Sequence, residues 1–376
     1  MANIKWCIFK FRAVKGLVKR VVAFVVAYLF VLLAVCSCGE KNKNVAMEYR
    51  DPQGKLTSTV TQGLMSLWIG VQKDSSADYL AFVDAMEDGW NMVLDGESGQ
   101  TFKELYLRDC TLSLRNLLAV EYLHDYVYGI EFSDQQQKSI EDKISQLSSS
   151  FGSRKDFEQE MQKYSATVSD YERYLCLMLK QTTLINTFYS ENGMRAVTEE
   201  KKKEYFENNY SVVYHIFLDT RGRVKDDGTT VSLTQEEKQE KLDFAKQVYE
   251  KIQSGQITFE QALLGYTEDA YASSHPDGYF VAKDGKYPDE FTDASFALLP
   301  GETALVQSRS GVHIIKRFPM DAQLYDHDSE VYALITQNLI TEDFSELVSS
   351  VSDGVKIYDD VISGLDASLI KPFALS

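Results

Sequence analysis

The chain is poor in proline, cysteine, histidine and positive charge, and each shortage excludes something. Six prolines occur in 376 residues, and none falls between Pro52 and Pro276. Proline breaks helix interiors by removing a backbone donor and crowding the preceding turn. Over more than two hundred residues, therefore, nothing forces a helix to stop. The five cysteines show no Cys/His spacing of the kind that holds structural zinc, so a metal-stapled fold is excluded and no cofactor is expected. The balance of 39 basic against 56 acidic residues, a net of −17, removes the electrostatic case for nucleic acid, whose binding rests on Lys and Arg neutralising phosphates. There is no glycine-rich phosphate loop and no Gly-x-Ser-x-Gly elbow, which excludes the commonest nucleotide and serine-hydrolase chemistries. The one long apolar run, Val21 to Val35, has fifteen residues, short of the roughly twenty that cross a bilayer.

That run follows Lys5, Lys10, Arg12, Lys15, Lys19 and Arg20 with no acid among them. A basic region, a short apolar region and then small residues with cysteine read as a secretory signal. Its end, Val35-Cys36-Ser37-Cys38-Gly39, resembles a bacterial lipobox. Residues 1–37 are expected to be a lipoprotein signal peptide and Cys38 the lipid anchor; Cys36 fits less well because valine precedes it. An uncleaved signal anchor is the alternative, and either places the remainder outside the cytoplasm at a membrane surface. Loss of residues 1–37 takes six basic residues and no acid, leaving 33 against 56, a net of −23. So acidic a chain is not held by adsorption to anionic lipid. The two cysteines that remain, Cys110 and Cys176, either pair or stay as buried thiols.

Residues 38–59 are polar and without periodicity, which reads as a flexible tether. Within the proline-free stretch, apolar spacing predicts helices over 77–94, 101–128, 133–149, 155–164, 169–191 and 199–208. Ser133-x-x-Gln136 and Thr167-x-x-Asp170 look like capping signals. The second helix is so dense in leucine that it belongs at the centre of a bundle or around a partner segment. Farther on, Val212-Val213-Tyr214-His215-Ile216-Phe217-Leu218 and Ser310-Gly311-Val312-His313-Ile314-Ile315-Lys316-Arg317-Phe318 read as strands carrying one histidine each. An amphipathic helix over 330–350 and a short strand at 355–358 close the chain.

Between the histidine strands lie a helix over 242–252, then Thr258-Phe259-Glu260-Gln261-Ala262, Tyr266-Thr267-Glu268-Asp269, Lys286-Tyr287-Pro288-Asp289-Glu290-Phe291 and Pro300-Gly301-Glu302. In that order and spacing the pieces resemble the parvulin family of peptidyl-prolyl isomerases, and the flanks resemble PrsA/SurA-type extracytoplasmic foldases. The resemblance implies an α+β fold: a small antiparallel sheet with helices over 209–320, inserted into a helical chaperone-like domain. That domain would be built from 60–208 and a carboxy-terminal segment, 321–376, packing back on it. It implies an isomerase with His215, His313 and Asp269 at the floor of the site, Ser310 as a hydroxyl near the substrate carbonyl, and Phe280, Tyr287 and Phe291 as the wall around proline. An ionised Asp269 beside two imidazoles should raise their pKa values. Phe291 is expected in the pocket and Phe296 in the core. The partners implied are unfolded exported polypeptides with Xaa-Pro bonds.

Two departures stand out. The Gly-Gly-Asp-Leu-Gly of parvulins is replaced by His275-Pro276-Asp277-Gly278-Tyr279-Phe280, and residues 219–239 form an insertion with a turn at Asp227-Gly228. The insertion's Arg221, Arg223 and Lys225 sit among Asp219, Asp226 and Asp227, so it reads as a solvated hairpin without phosphate selectivity. The altered loop keeps a second reading open, a non-catalytic parvulin-fold holdase or scaffold lipoprotein. A surface lipoprotein of cell-wall or sporulation assembly is a third, for which no residue speaks directly.

Overall fold

A computed structural model describes residues 44–94, 96–224, 230–320, 325 and 328–374. The expected signal peptide, the Cys38 anchor and the turn at Asp227-Gly228 lie outside these residues. The chain divides into two compact units, Met1–Leu179 with Ser352–Ser376, and Lys180–Val351.

In the first unit the described part of the expected tether, from residue 44 on, is folded into sheet. Its described residues start with strands β1 (Val45–Arg50) and β2 (Leu56–Thr61), which pair antiparallel and are joined on β1's other edge by β9 (Val355–Ile357). Ala46, Met47 and Tyr49 are buried, although the segment's polar neighbours hide that from a reading of periodicity. Helix α1 (Gln62–Ser75), which no sequence signal announced, follows. It is apolar on most sides, and Gly63 in its first turn lies so close to another segment that a Cβ there would meet the Ser165 carbonyl at 2.5 Å. Next come α2 (Ala77–Ala85), α3 (Phe102–Tyr122), α4 (Asp134–Ser150), α5 (Arg154–Gln162) and α6 (Val168–Tyr189), of which the residues up to Leu179 belong to this unit. The predicted 77–94 helix stops at Ala85 and gives way to a 3-10 turn at Gly89–Asn91. A capping box at Ser133 and Gln136 starts α4, and Thr167 and Asp170 bond reciprocally at the start of α6. Leu114, Leu117, Leu118 and Val120 of α3 are buried, as expected of a central helix. No disulfide joins Cys110, which is buried, to Cys176, which is only half-buried.

The second unit holds a four-stranded antiparallel sheet in the order β6-β3-β8-β7, formed by β3 (Tyr210–Asp219), β6 (Tyr279–Ala282), β7 (Thr303–Gln307) and β8 (Gly311–Arg317). A two-stranded hairpin, β4 (Gly222–Val224) and β5 (Thr230–Ser232), occupies the insertion. Side chains alternate across the pleat. On one face Ile216 and Ile314 pack against Val248 of α8 (Gln235–Gln253) and Phe259 and Ala262 of α9 (Phe259–Tyr266). On the other, Val213, Tyr279, Val281 and Ile315 pack with Phe291 of α10 (Asp289–Ala297).

The boundaries differ from those the sequence suggested. Helices α7 (Glu199–Asn209) and α11 (Ser329–Ser349) both belong with the sheet, where Phe206, Tyr210, Val212, Tyr325 and Ile335 form one cluster. Val331, Ile335 and Leu339 repeat every fourth residue and bury one stripe of α11 there, and Arg195 clamps Asp343 through two hydrogen bonds of 2.6 and 2.7 Å. Only the part of the carboxy-terminal segment from Ser352 onward, with β9 and α12 (Asp359–Ile362), joins the first unit. Ile335 is fully buried, so Ile335→Ala should cost the second unit about 2–4 kcal/mol. Hydrogen exchange measures this directly: protection should fall in β3 and α7 and stay unchanged in α3.

Candidate active site

Strand register brings the two histidines together. In the β3–β8 ladder His215 faces Ile315 and Phe217 faces His313, so the imidazoles are diagonal neighbours on one face of the sheet. Their Nδ1 atoms are 3.1 Å apart and their rings stack at 5.3 Å. Phe217, Tyr279 and Phe291 surround them, with Phe291 5.1 Å from each imidazole centroid and Tyr279 4.9 Å from His215.

Asp269 arrives on the loop after α9, which is stitched to the edge of β3 that β6 leaves open. The Phe217 N–H donates to Thr267 Oγ1 at 3.1 Å, and the Glu268 N–H donates to the Phe217 carbonyl at 2.7 Å. This places Asp269 Oδ2 at 3.2 Å from His215 Nε2, and the Tyr279 hydroxyl donates to the same oxygen. Oδ1 accepts from the Tyr271 N–H at 3.0 Å, so the carboxylate shapes its own turn as well. At the far end of the pair, Ser308 Oγ is 2.9 Å from His313 Nε2 and 2.9 Å from Ser310 Oγ.

With both imidazoles uncharged, these contacts admit one direction of proton donation. Asp269, acceptor only, takes the Nε2–H of His215. Neutral His215 then presents an acceptor at Nδ1, which takes the Nδ1–H of His313. His313 is left with an acceptor at Nε2, filled by the Ser308 hydroxyl, and Ser308 accepts in turn from the Ser310 N–H at 3.2 Å. The result is a polarised chain that ends on a carboxylate.

The electrostatics correct one expectation. His313 does not rise beside Asp269; burial, and then its neighbour His215, lower it to about 3, against a weaker upward pull from Asp269. Of the two imidazoles, the carboxylate contacts that of His215. Burial pushes Asp269 itself upward, but hydrogen bonds from His215, Tyr279 and the Tyr271 N–H outweigh it and hold the acid below its ordinary range. Burial and then the facing carboxylate drive Tyr279 upward.

Of the residues singled out in the sequence, His215, His313, Asp269, Tyr287 and Phe291 converge. Phe291 is 1% exposed and belongs to the core beneath the imidazoles, whereas Phe296, expected in the core, is only half-buried. Tyr287 packs over Phe291 at 5.5 Å and is pushed up to about 12 by burial. Ser310 reaches the pair only through Ser308. Phe280 is not in the site: one residue out of phase with Tyr279, it points through the sheet to Phe206, 5.7 Å away. Arg221 of the insertion is held by Asp219, Nη2 to Oδ2 at 2.6 Å. In the altered loop, Gly278 has φ of +89° and lies against β3, where a Cβ would meet the Val213 carbonyl at 2.9 Å. Sequence reasoning missed Ser308 and Tyr279. Tyr279 was legible from alternation with Phe280, and Ser308 from its place two residues before Ser310.

Residues 215–318 match the family described as "Rotamase: PPIC-type PPIASE domain", and the match begins at His215 and covers the whole constellation. This segment is a parvulin-type domain. Among curated proteins, the peptidyl-prolyl cis-trans isomerase ssp-1 of Neurospora crassa is 38% identical over 82 residues, which are 21% of this chain and 44% of that protein. The chain thus spans less than half the length of that relative. Among solved structures, PrsA from Bacillus cereus is 18% identical over 74% of this chain and 98% of its own, with a TM-score of 0.33. The peptidyl-prolyl isomerase ESS1 of Candida albicans is 24% identical over 30% of this chain and 64% of its own, with a TM-score of 0.26.

The parvulin-type domain should carry His313 as an acid-labile element. An unfolded histidine takes a proton near pH 6.5, but His313 resists until about pH 3. Its contribution to stability is therefore complete above pH 6.5 and falls as pH drops toward 3, by about 1.4 kcal/mol per unit. Urea unfolding at a series of pH values should show that slope between pH 6.5 and 4, and His313→Gln should flatten it. An unchanged slope in the variant contradicts the assignment.

Proposed function

We propose that the chain is a lipid-anchored, extracytoplasmic peptidyl-prolyl cis-trans isomerase that assists the folding of exported proteins. The observation that carries the isomerase reading is the stacked imidazole pair, pinned to Asp269 beside Tyr287 and Phe291, within a segment that matches the PPIC-type family. Lipid anchoring and export rest on the sequence of residues 1–39.

Rotation about a peptide bond breaks amide resonance at a cost of about 18–20 kcal/mol. For Xaa-Pro the two isomers differ by only about 0.5–1 kcal/mol, so the barrier, not the equilibrium, is what a catalyst changes. No nucleophile or electron carrier is needed. The site has to hold the proline ring against an apolar wall and stabilise the twisted amide, whose carbonyl and nitrogen no longer share electrons. In this reading Tyr287 and Phe291 supply the wall, and the polarised chain presents the Ser310 hydroxyl at its half-buried end to the rotating amide. Because Phe291 is 1% exposed, the Tyr287 ring has to shift for proline to reach it.

That same burial, with the altered 275–280 loop, favours the second reading, a parvulin-fold holdase that binds clients without catalysis. A protease-coupled assay on short Xaa-Pro peptides separates the two. The isomerase reading predicts a rate above the uncatalysed one. It also predicts that Asp269→Ala loses a charged hydrogen bond of about 1.5–3 kcal/mol, a loss of about ten- to a hundredfold in kcat/KM. No acceleration by the wild type, together with aggregation suppression that survives Asp269→Ala and Phe291→Ala, selects the holdase.

A further inference from the structure

The first unit carries an apolar surface that nothing in the isomerase reading uses. Tyr79, Phe82 and Met86 stand at positions i, i+3 and i+7, one stripe along α2 that continues past its end, and they are 60%, 69% and 50% exposed. Met92, Val93 and Leu94, just past the 3-10 turn, are exposed as well. The adjoining side of α2 holds the helix down, with Leu80 and Val83 packed against Phe102, whose ring also lies 6.1 Å from that of Tyr79. Six large apolar side chains are thus exposed within sixteen residues, whereas exposed hydrophobic residues on a soluble surface are usually scattered singly.

Its charge is one-sided. Residues 74–102 contain seven acids and neither lysine nor arginine. Lys73, which precedes them, turns inward: it is buried, donates to the Ile370 carbonyl at 2.6 Å and stands over the Trp90 ring. Asp84 is occupied by Trp90 Nε1 at 2.7 Å, but Glu87 and Asp78 are exposed beside the stripe. Such a face repels anionic lipid, and it repels a second copy of a chain whose net charge is −17. Methionine and aromatic side chains adapt to apolar partners of varied shape, and an acidic border selects among them for positive charge.

We infer that this face is a docking surface for a polypeptide segment that is apolar on one side and carries Lys or Arg on the other. The inference deepens the foldase reading by giving the chemistry of one kind of client segment. Its test avoids proline, so that the failure of either can be told from the failure of the other.

The probe is a fluorescein-labelled, proline-free amphipathic peptide of leucine and lysine, about 18 residues long, titrated with the full chain and followed by anisotropy. A leucine/glutamate counterpart and vesicles of equal parts phosphatidylglycerol and phosphatidylcholine serve as competing occupants. The lysine peptide should bind at least about tenfold more tightly than the glutamate peptide, and added salt should weaken it. The double variant Phe82→Ser, Met86→Ser should lose about tenfold in affinity with an unchanged circular dichroism spectrum, since both side chains are exposed. Glu87→Lys should weaken binding and blunt the salt dependence. Equal binding by the double variant overturns the inference. So do equal binding of the two peptides, vesicle binding without peptide binding, or self-association that the double variant abolishes.

Discussion

Two imidazole nitrogens 3.1 Å apart cannot both carry a proton toward each other, and the site is arranged around that constraint. One of the pair has to accept. Asp269, fixed to His215 on the far side, decides which one by demanding the Nε2 proton of His215. His313 then donates inward from Nδ1 and needs a donor for its outer nitrogen, which the Ser308 hydroxyl provides. A carboxylate at one end thus sets the orientation of hydroxyls at the other, across two strands whose histidines are 98 residues apart in sequence. Ladder register holds the arrangement, because slipping β8 by one residue would turn His313 out through the sheet.

The same contact explains why burial prevails over the carboxylate. With Phe217, Tyr279 and Phe291 packed around the rings, a charged imidazolium at His313 would lose its hydration and face a second imidazole. Asp269 lies beyond His215, so its attraction reaches His313 weakened. The carboxylate keeps its charge because three hydrogen bonds offset the cost of burial. The expectation that the acid would raise both histidines treated the three groups as a triangle, whereas they form a line.

Much of the second unit is legible in the sequence because its signals are local. The histidine strands follow from β-branched and aromatic runs, and α9 starts at a capping box between Thr258 and Gln261. What was not legible depends on tertiary parity and packing. Phe280 and Tyr279 have similar ring chemistry and differ only in which side of β6 they occupy, and the choice was one residue off. Strand β1 was hidden because it ends on Arg50 and is followed by Asp51 and Gln53, and because it pairs with β9 some three hundred residues later. Helix α1 went unseen because two glycines and a polar start lower its local propensity, while close packing around Gly63 rewards them. The allocation of α11 follows its buried stripe and the Arg195–Asp343 clamp, and the sequence announces neither partner.

Long-range 15N–1H NMR of the two imidazoles at pH 7 reads the direction of the hydrogen-bond chain. Two neutral rings of opposite tautomer are expected, His215 protonated at Nε2 with a bare Nδ1, and His313 protonated at Nδ1 with a bare Nε2. An imidazolium at either position, or a proton on Nε2 of His313, would contradict it.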